Sequence, residues 1–180
     1  MDCLRRSNRW LADRARRELH DRRDPAVVPH LRNMARQKRD GLLALQGLWA
    51  FNGVQGIDEP LATELLTHPY PHVRLWVVRL LGDGKILSDS MLLQLANLAA
   101  SDGNPAVLAQ LAASAKRLSG EQGLGIIEQL LDRTESLEDE RTRWLVWWAI
   151  ENNALSNSDR LLKMFARPEA WYRPAWRENA

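Results

Sequence analysis

Apolar residues recur along most of the chain with the three- and four-residue spacing of α-helices, and no segment alternates with a period of two. The clearest case is HPYPHVRLWVVRLLGD, residues 68–83. Its prolines, Pro69 and Pro71, suit a turn and the first position of a helix. One helical stripe then follows, made of Val73, Trp76, Val77, Leu80 and Leu81. The pattern predicts a helix over 70–82, with Gly82 as its left-handed cap.

The same periodicity predicts about ten helices in successive pairs. Before this segment the helices span about 7–20, 24–36, 39–52 and 58–67, with Ser7 as the first cap and Gly53 as the end of the third. After it they span about 88–100, 105–118, 120–132, 140–153, 157–166 and 168–178. Because Pro105-Ala106-Val107 repeats the opening Pro71-His72-Val73, we expect the pairs to be degenerate copies of one repeat.

The sequence Pro71-His72-Val73-Arg74 reads P-x-V-R, which is typical of the second helix of a HEAT-type repeat. We therefore predict an all-α protein, one domain over 1–180, built as a right-handed α-solenoid of about five HEAT-like helix pairs, an ARM/HEAT superhelix. In such a stack each pair buries its apolar face against the next pair. Most solenoids bind other molecules along a curved surface and are not enzymes, so the fold favours a binding function.

Composition and charge change this picture little. The chain is 45% hydrophobic and 27% charged, which is ordinary for a globular protein, and its net charge is only +2. Residues 1–40, however, hold 12 of the 25 Lys and Arg residues and 6 of the 23 Asp and Glu residues. A basic segment can bind nucleic acid or anionic lipid, but a solvated helix face explains it as well.

The sequence also contains few signals for targeting or for cysteine chemistry. Cys3 is the only cysteine, which excludes an internal disulfide and a CxxCH haem-attachment motif. No apolar run is long enough to span a bilayer, and no apolar core follows the charges of residues 1–6, so we expect neither a transmembrane segment nor a signal peptide. The abrupt start is consistent with a fragment of a longer reading frame or with a gene that lost its neighbours.

The most unusual local feature is RWLVWWAIENNA, residues 143–154. At 100° per residue, one helix face carries Trp144, Trp147, Trp148 and Glu151. One interpretation is a recognition pocket, with aromatic walls for a sugar, a cation or a flipped base and Glu151 for orientation or proton transfer. The other is that the indoles fill the core between repeats, with Glu151 accepting an indole N–H or pairing with an arginine.

Other candidate binding residues carry a similar ambiguity. Trp10, Trp49 and Trp76 can form a row along successive repeats, which core packing explains as well. Arg74 and Arg79 can bind a carboxylate or phosphate, but arginines of HEAT repeats also bridge to acids of the neighbouring repeat. We expect no catalytic or metal-binding residues and no cofactor in this chain, and the sequence identifies no small-molecule substrate.

Three stretches together, 7–31, 68–83 and 143–154, resemble the HEAT-repeat segment of large membrane-bound dehydrogenases of planctomycete-type bacteria. In that family a β-propeller precedes the helical segment and a c-type cytochrome module follows it. The resemblance implies an extracytoplasmic redox protein with haem c, and a quinone-type cofactor, only in the flanking domains. Neither the propeller nor the haem motif is in this sequence, so no catalytic residue carries over. What carries over is a spacer or docking scaffold whose partner is a protein or its own flanking domains.

An enzyme alternative is a HEAT-like alkylpurine DNA glycosylase, which is similar to this chain in being helical, basic and rich in tryptophan. It predicts a surface combining Arg or Lys with Trp, a catalytic carboxylate, and salt-sensitive DNA binding. The excess of positive charge lies in residues 1–40, and the Trp-rich helix follows the acidic loop 135–140. Nucleic acid is therefore not the expected partner.

Overall fold

Each regular element of the computed structural model is a helix within residues 2–5, 8–133 and 139–168, the part of the chain that the structure describes. The chain divides into two compact units, residues 1–80 and 81–180. The first six helices are α1 (Asp2–Arg5), α2 (Arg9–Arg22), α3 (Val28–Ala35), α4 (Gly41–Gln55), α5 (Glu59–Leu65) and α6 (Pro71–Asp83). They are followed by α7 (Asp89–Ser101), α8 (Pro105–Ala115), α9 (Leu124–Leu131), α10 (Glu140–Asn153) and α11 (Ser158–Phe165).

Most helix starts follow from local capping chemistry. The side chains of Asp40, Asp58, Ser88, Asn104 and Asp139 each accept a hydrogen bond from a backbone N–H of the first turn. The predicted cap Ser7 lies outside the described residues, and Asn8 caps α2 by accepting from the N–H of Leu11. The sequence therefore places these starts to within one or two residues.

In two of the predicted helices the first residues form a 3-10 turn, and the α-helix begins only after it. The prediction for 24–36 is replaced by the 3-10 turn Pro25–Val27 and then α3, since Pro29 falls at the start of an α-helix, where its missing N–H is tolerated. The prediction for 120–132 is replaced by the 3-10 turn Gly120–Gly123 and then α9. The predicted helix 168–178 lies outside the described residues except for Pro168.

Both glycines predicted to end helices lie inside them instead. Gly53 is within α4, which continues to Gln55 and ends at Gly56, where φ is +82°. Gly82 is within α6 and is buried against Ser114, since an ideal Cβ at this position would lie 2.7 Å from the Ser114 Cβ. Close packing, not chain reversal, explains Gly82.

In the first unit α4 packs against both α2 and α3. Its core contains the fully buried Leu31, Leu48, Phe51, Leu61 and Leu65. Arginines in α3 and at its C-cap reach acids at the N-cap of α5 and within α5: Arg32 pairs with Asp58, and Arg36 forms a bidentate ion pair with Glu64 at 2.6 Å. These contacts connect alternate helices, α2 with α4 and α3 with α5.

The second unit repeats this arrangement. Here α7 packs against α9, and α8 packs against α10. Its core contains the fully buried Met91, Leu95, Leu111, Leu124, Ile126 and Ile127. Arg133, just after α9, donates to the backbone carbonyls of Ala99 and Asp102 at the end of α7, at 3.1 and 2.7 Å. Alternate helices are again neighbours.

Candidate binding surfaces

Helix α10 presents the tryptophan-rich face that the sequence predicted. Asp139 begins the helix by accepting hydrogen bonds from the backbone N–H and the hydroxyl of Thr142, at 2.9 and 2.6 Å. The hydroxyl hydrogen bond is the main reason that the pKa of Asp139 lies below its ordinary value. The buried side of the helix consists of Thr142, Val146, Ala149, Ile150 and Asn153. The tryptophans lie on the opposite side.

Trp144, Trp147 and Trp148 are 54%, 38% and 45% exposed, so these side chains are not part of the core. We call them, together with Glu140 and Glu151, the α10 aromatic face. A shallow hollow of about 710 Å³ adjoins it and is lined by Glu140, Arg141, Trp144, Leu145 and Trp148. A row of exposed indoles indicates a binding surface, because Trp is among the residues most enriched in binding hot spots.

Glu151 does not have the partner that the core-packing interpretation required. Its side chain is exposed, and within the described residues no indole N–H or arginine engages its carboxylate. The neighbouring Asn152 donates to the backbone carbonyl of Lys116 at 3.3 Å. The Lys116 ammonium lies 5.4 Å from the centre of the Trp148 ring. This is a cation–π contact between α10 and the end of α8.

A second aromatic cluster lies in the first unit. The rings of Trp49 and Trp76 meet edge to face, with centroids 5.0 Å apart and an interplanar angle of 79°. The Arg16 guanidinium lies 4.9 Å from the Trp49 ring centre, and that of Arg79 lies 5.1 Å from the Trp76 ring centre. The Trp49 indole N–H is buried and has no hydrogen-bond partner among the described residues. Two of the three tryptophans proposed to form a row, Trp49 and Trp76, are thus in contact.

The same cluster forms one wall of a groove between α2 and α4. The groove has a volume of about 610 Å³ and is lined by Arg9, Ala12, Asp13, Arg16, Leu42, Gln46, Trp49 and Trp76. Arg16 donates to the Asp13 carboxylate and to the Gln46 side-chain carbonyl, which fixes its guanidinium over Trp49. Trp10 is instead 64% exposed with Arg14 at 5.8 Å from its ring, so it does not stack on the other two.

Arg74 holds the local backbone together. Its guanidinium donates to the carbonyl oxygens of His68 and Pro69, at 2.7 and 3.4 Å. These bonds close the turn that leads into α6. The other candidate arginine, Arg79, lies against the Trp76 ring.

The HPYP turn has a role that sequence reasoning missed. The His68 ring lies 3.3 Å from the Gln37 carbonyl through Nε2, and its Nδ1 accepts from the N–H of Tyr70 at 3.2 Å. The Tyr70 hydroxyl donates to the Arg39 carbonyl at 3.1 Å, and its ring covers Gly41. The turn therefore hydrogen-bonds to, and packs against, the connection between α3 and α4. His68 is 3% exposed, and burial lowers its pKa below the ordinary value.

Two other kinds of functional feature, a metal site and a membrane span, are missing from the part of the chain that the structure describes. Within the described ranges, no group of three or more His, Cys, Asp or Glu residues is arranged to hold a metal ion. Over the same residues, no helix combines the length and apolarity needed to cross a bilayer. No family model, curated protein or solved structure matches the sequence. The resemblance to the dehydrogenase segment rests on the three stretches 7–31, 68–83 and 143–154 alone.

Proposed function

We propose that the chain is a non-catalytic HEAT-type scaffold that binds a protein partner or a flanking domain of its own polypeptide. The observation that carries this proposal is the α10 aromatic face, where Trp144, Trp147 and Trp148 are exposed together on one helix. Exposed tryptophans are characteristic anchors of protein interfaces, since each buries a large area while losing few rotamers.

The proposed architecture is a right-handed α-solenoid of HEAT-like pairs. It is supported within each unit by the packing of alternate helices, α2 on α4 and α7 on α9. A solenoid requires this pattern, because each helix contacts its counterpart in the next repeat. The ion pairs from Arg36 to Glu64 and from Arg160 to Glu121, the latter at 3.1 Å, are further contacts of this kind.

The resemblance to the dehydrogenase segment adds a more specific role. A helical spacer between a propeller and a cytochrome module has to fix both at a distance suited to electron transfer. The α10 aromatic face then serves as the docking surface for one of them, and the redox chemistry belongs to the flanking domains. Intact mass and the visible spectrum of the native protein test this role, because a product larger than 20.6 kDa with a covalent haem band is expected.

Crosslinking followed by mass spectrometry in extracts of the source cells tests the scaffold function. We expect crosslinks from a protein partner or flanking domain to map to α10 and to be lost in Trp147→Ala. The matched control is Trp10→Ala, which removes a tryptophan of the first unit that is more exposed than Trp147. Far-UV circular dichroism should be unchanged in both variants. Crosslinks that are indifferent to Trp147→Ala would count against the proposal.

A second candidate function is nucleic-acid binding by the first unit. It is favoured by the arginine–tryptophan contacts of Arg16 with Trp49 and of Arg79 with Trp76, next to the basic segment 1–40. Bases stack on aromatic rings while arginines bind phosphates. Affinity for a short oligothymidylate that falls steeply between low and physiological salt is expected on this hypothesis. No binding at low salt would dispose of it.

A further inference from the structure

The α10 aromatic face has a carboxylate at each end. Glu140 and Glu151 are separated by eleven residues, which is about three helical turns, so both project from the same side as the three tryptophans. At a rise of about 1.5 Å per residue, the two positions are roughly 16 Å apart along the helix. Both side chains are exposed, and no hydrogen bond or ion pair engages either carboxylate among the described residues.

A cation of the same chain already occupies part of this surface. Lys116 contacts the Trp148 ring at 5.4 Å, and among the described residues no such contact is found for Trp144 or Trp147. Tryptophan is the best aromatic partner for a cation, since the negative face of its ring attracts positive charge. Trp144 and Trp147 lie on the same face as the Glu140 and Glu151 carboxylates, and this combination favours binding of further cations.

The net charge of the second unit also favours a cationic ligand. The second unit holds 14 acidic and 11 basic residues, an excess of negative charge, whereas the first unit is basic. Arg141 lines the adjoining hollow on the flank of the stripe, about 100° around the helix from Glu140. Arg143, three residues after Glu140, lies about 60° around the helix in the opposite direction, on the other flank. The centre of the α10 aromatic face is therefore aromatic, both of its ends are anionic, and each flank carries an arginine.

We propose that the α10 aromatic face binds an extended basic segment of a partner protein, with arginine or lysine side chains at Glu140 and Glu151 and over the indole rings. This inference rests on the proposed scaffold function and names the chemistry of the partner. An extended chain covers about 3.3 Å per residue, so the two carboxylates match cations roughly five residues apart. A nucleic acid would bring phosphates against both carboxylates, and a neutral sugar would leave their charge uncompensated.

The test is a titration of the ¹⁵N-labelled full chain with the capped hexapeptide Arg-Ala-Ala-Ala-Ala-Arg, followed through the indole N–H signals. We expect shifts of the signals from Trp144, Trp147 and Trp148 but not of that from Trp49, whose indole N–H is buried. The double variant Glu140→Gln/Glu151→Gln should weaken binding about two- to fivefold per lost charge contact, and added salt should weaken it further. Glu59→Gln, on an exposed acid of the first unit, is the matched control and should bind like the wild type.

The inference would be overturned by the absence of any shift of the α10 indoles at millimolar peptide, by equal shifts with the Glu-Ala-Ala-Ala-Ala-Glu peptide, or by equal affinity in the double variant. The crosslinking experiment separates this failure from failure of the scaffold function. Crosslinks at α10 without hexapeptide binding would leave the scaffold intact and refute only the basic partner. Stronger shifts with a glucose oligosaccharide than with the arginine peptide would likewise refute it.

Discussion

Helices α3 and α4 approach so closely at Gly47 that no side chain fits between them. An ideal Cβ at position 47 would lie 2.5 Å from the backbone nitrogen of Ala35 and 2.7 Å from the Cβ of Met34. Both are backbone or first side-chain atoms, so neither can move aside by a rotamer change. Gly47→Ala therefore tests whether this contact is as tight as the structure shows.

The magnitude follows from the two opposing effects of the added methyl group. Carbon atoms normally pack at about 3.5–4.0 Å, so α3 and α4 must separate by roughly 1 Å. Such overpacking typically lowers the free energy of unfolding by about 1–3 kcal/mol. Replacing glycine by alanine inside a helix recovers about 0.5–1 kcal/mol. We expect Gly47→Ala to be less stable than the wild type by about 1–2 kcal/mol.

The matched control is Gly53→Ala in the same helix. A Cβ at position 53 would lie 3.5 Å from the nearest atom, the Cβ of His20, which is an ordinary contact. Here only the helix-propensity gain remains, and stability should rise by about 0.5–1 kcal/mol. The assay is urea unfolding followed by far-UV circular dichroism and tryptophan fluorescence. If the two units unfold in separate transitions, the change should fall in the transition of the first unit, which contains both glycines.

One outcome refutes this reasoning directly. If Gly47→Ala is as stable as Gly53→Ala, α3 and α4 do not pack backbone to backbone at this point. Thermal melting provides an independent check, since about 1 kcal/mol shifts the midpoint by roughly 2–4 °C in a protein of this size. The two variants should then move the midpoint in opposite directions.

Three further predictions follow from the turn and helix contacts. Gly41→Ala should be costly in the wild type, because its Cβ would lie 2.5 Å from the Tyr70 ring, but nearly neutral in a Tyr70→Ala background; a thermal double-mutant cycle measures the difference, and additive effects would contradict it. In the unfolded chain His68 binds a proton near the ordinary histidine pKa of 6.5, whereas in the folded protein burial lowers its pKa. The free energy of unfolding should therefore be highest above about pH 6.5 and fall below that pH by at most about 1.4 kcal/mol per pH unit. His68→Gln should flatten this slope in urea unfolding at successive pH values, and an unchanged slope would count against the role of His68. Glu151→Gln should change the free energy of unfolding by no more than about 0.5 kcal/mol, because the exposed Glu151 carboxylate has no partner within the described residues. Thermal melting measures this, and a drop of several degrees in the melting temperature would restore the core-packing interpretation.

The helices themselves could be predicted because the information is local. A period of 3.6, a capping side chain such as Ser88 or Asn104, and a proline in the first turn act over three or four residues of contiguous chain. The grouping of Trp144, Trp147, Trp148 and Glu151 on one face is also local, because it depends only on helix geometry. The sequence by itself therefore determined both the helical class and the composition of this face.

Which helix faces are covered depends on packing between segments that are distant in the sequence. In α10 apolar residues lie on nearly all sides, and burial of Val146 and Ile150 against neighbouring elements is what leaves the indoles exposed. The glycines show the same limit: Gly82 reads locally as a helix end, yet contact with Ser114 keeps it inside α6. A local pattern records what a residue costs or favours in its own helix, whereas burial and close approach depend on segments far along the chain.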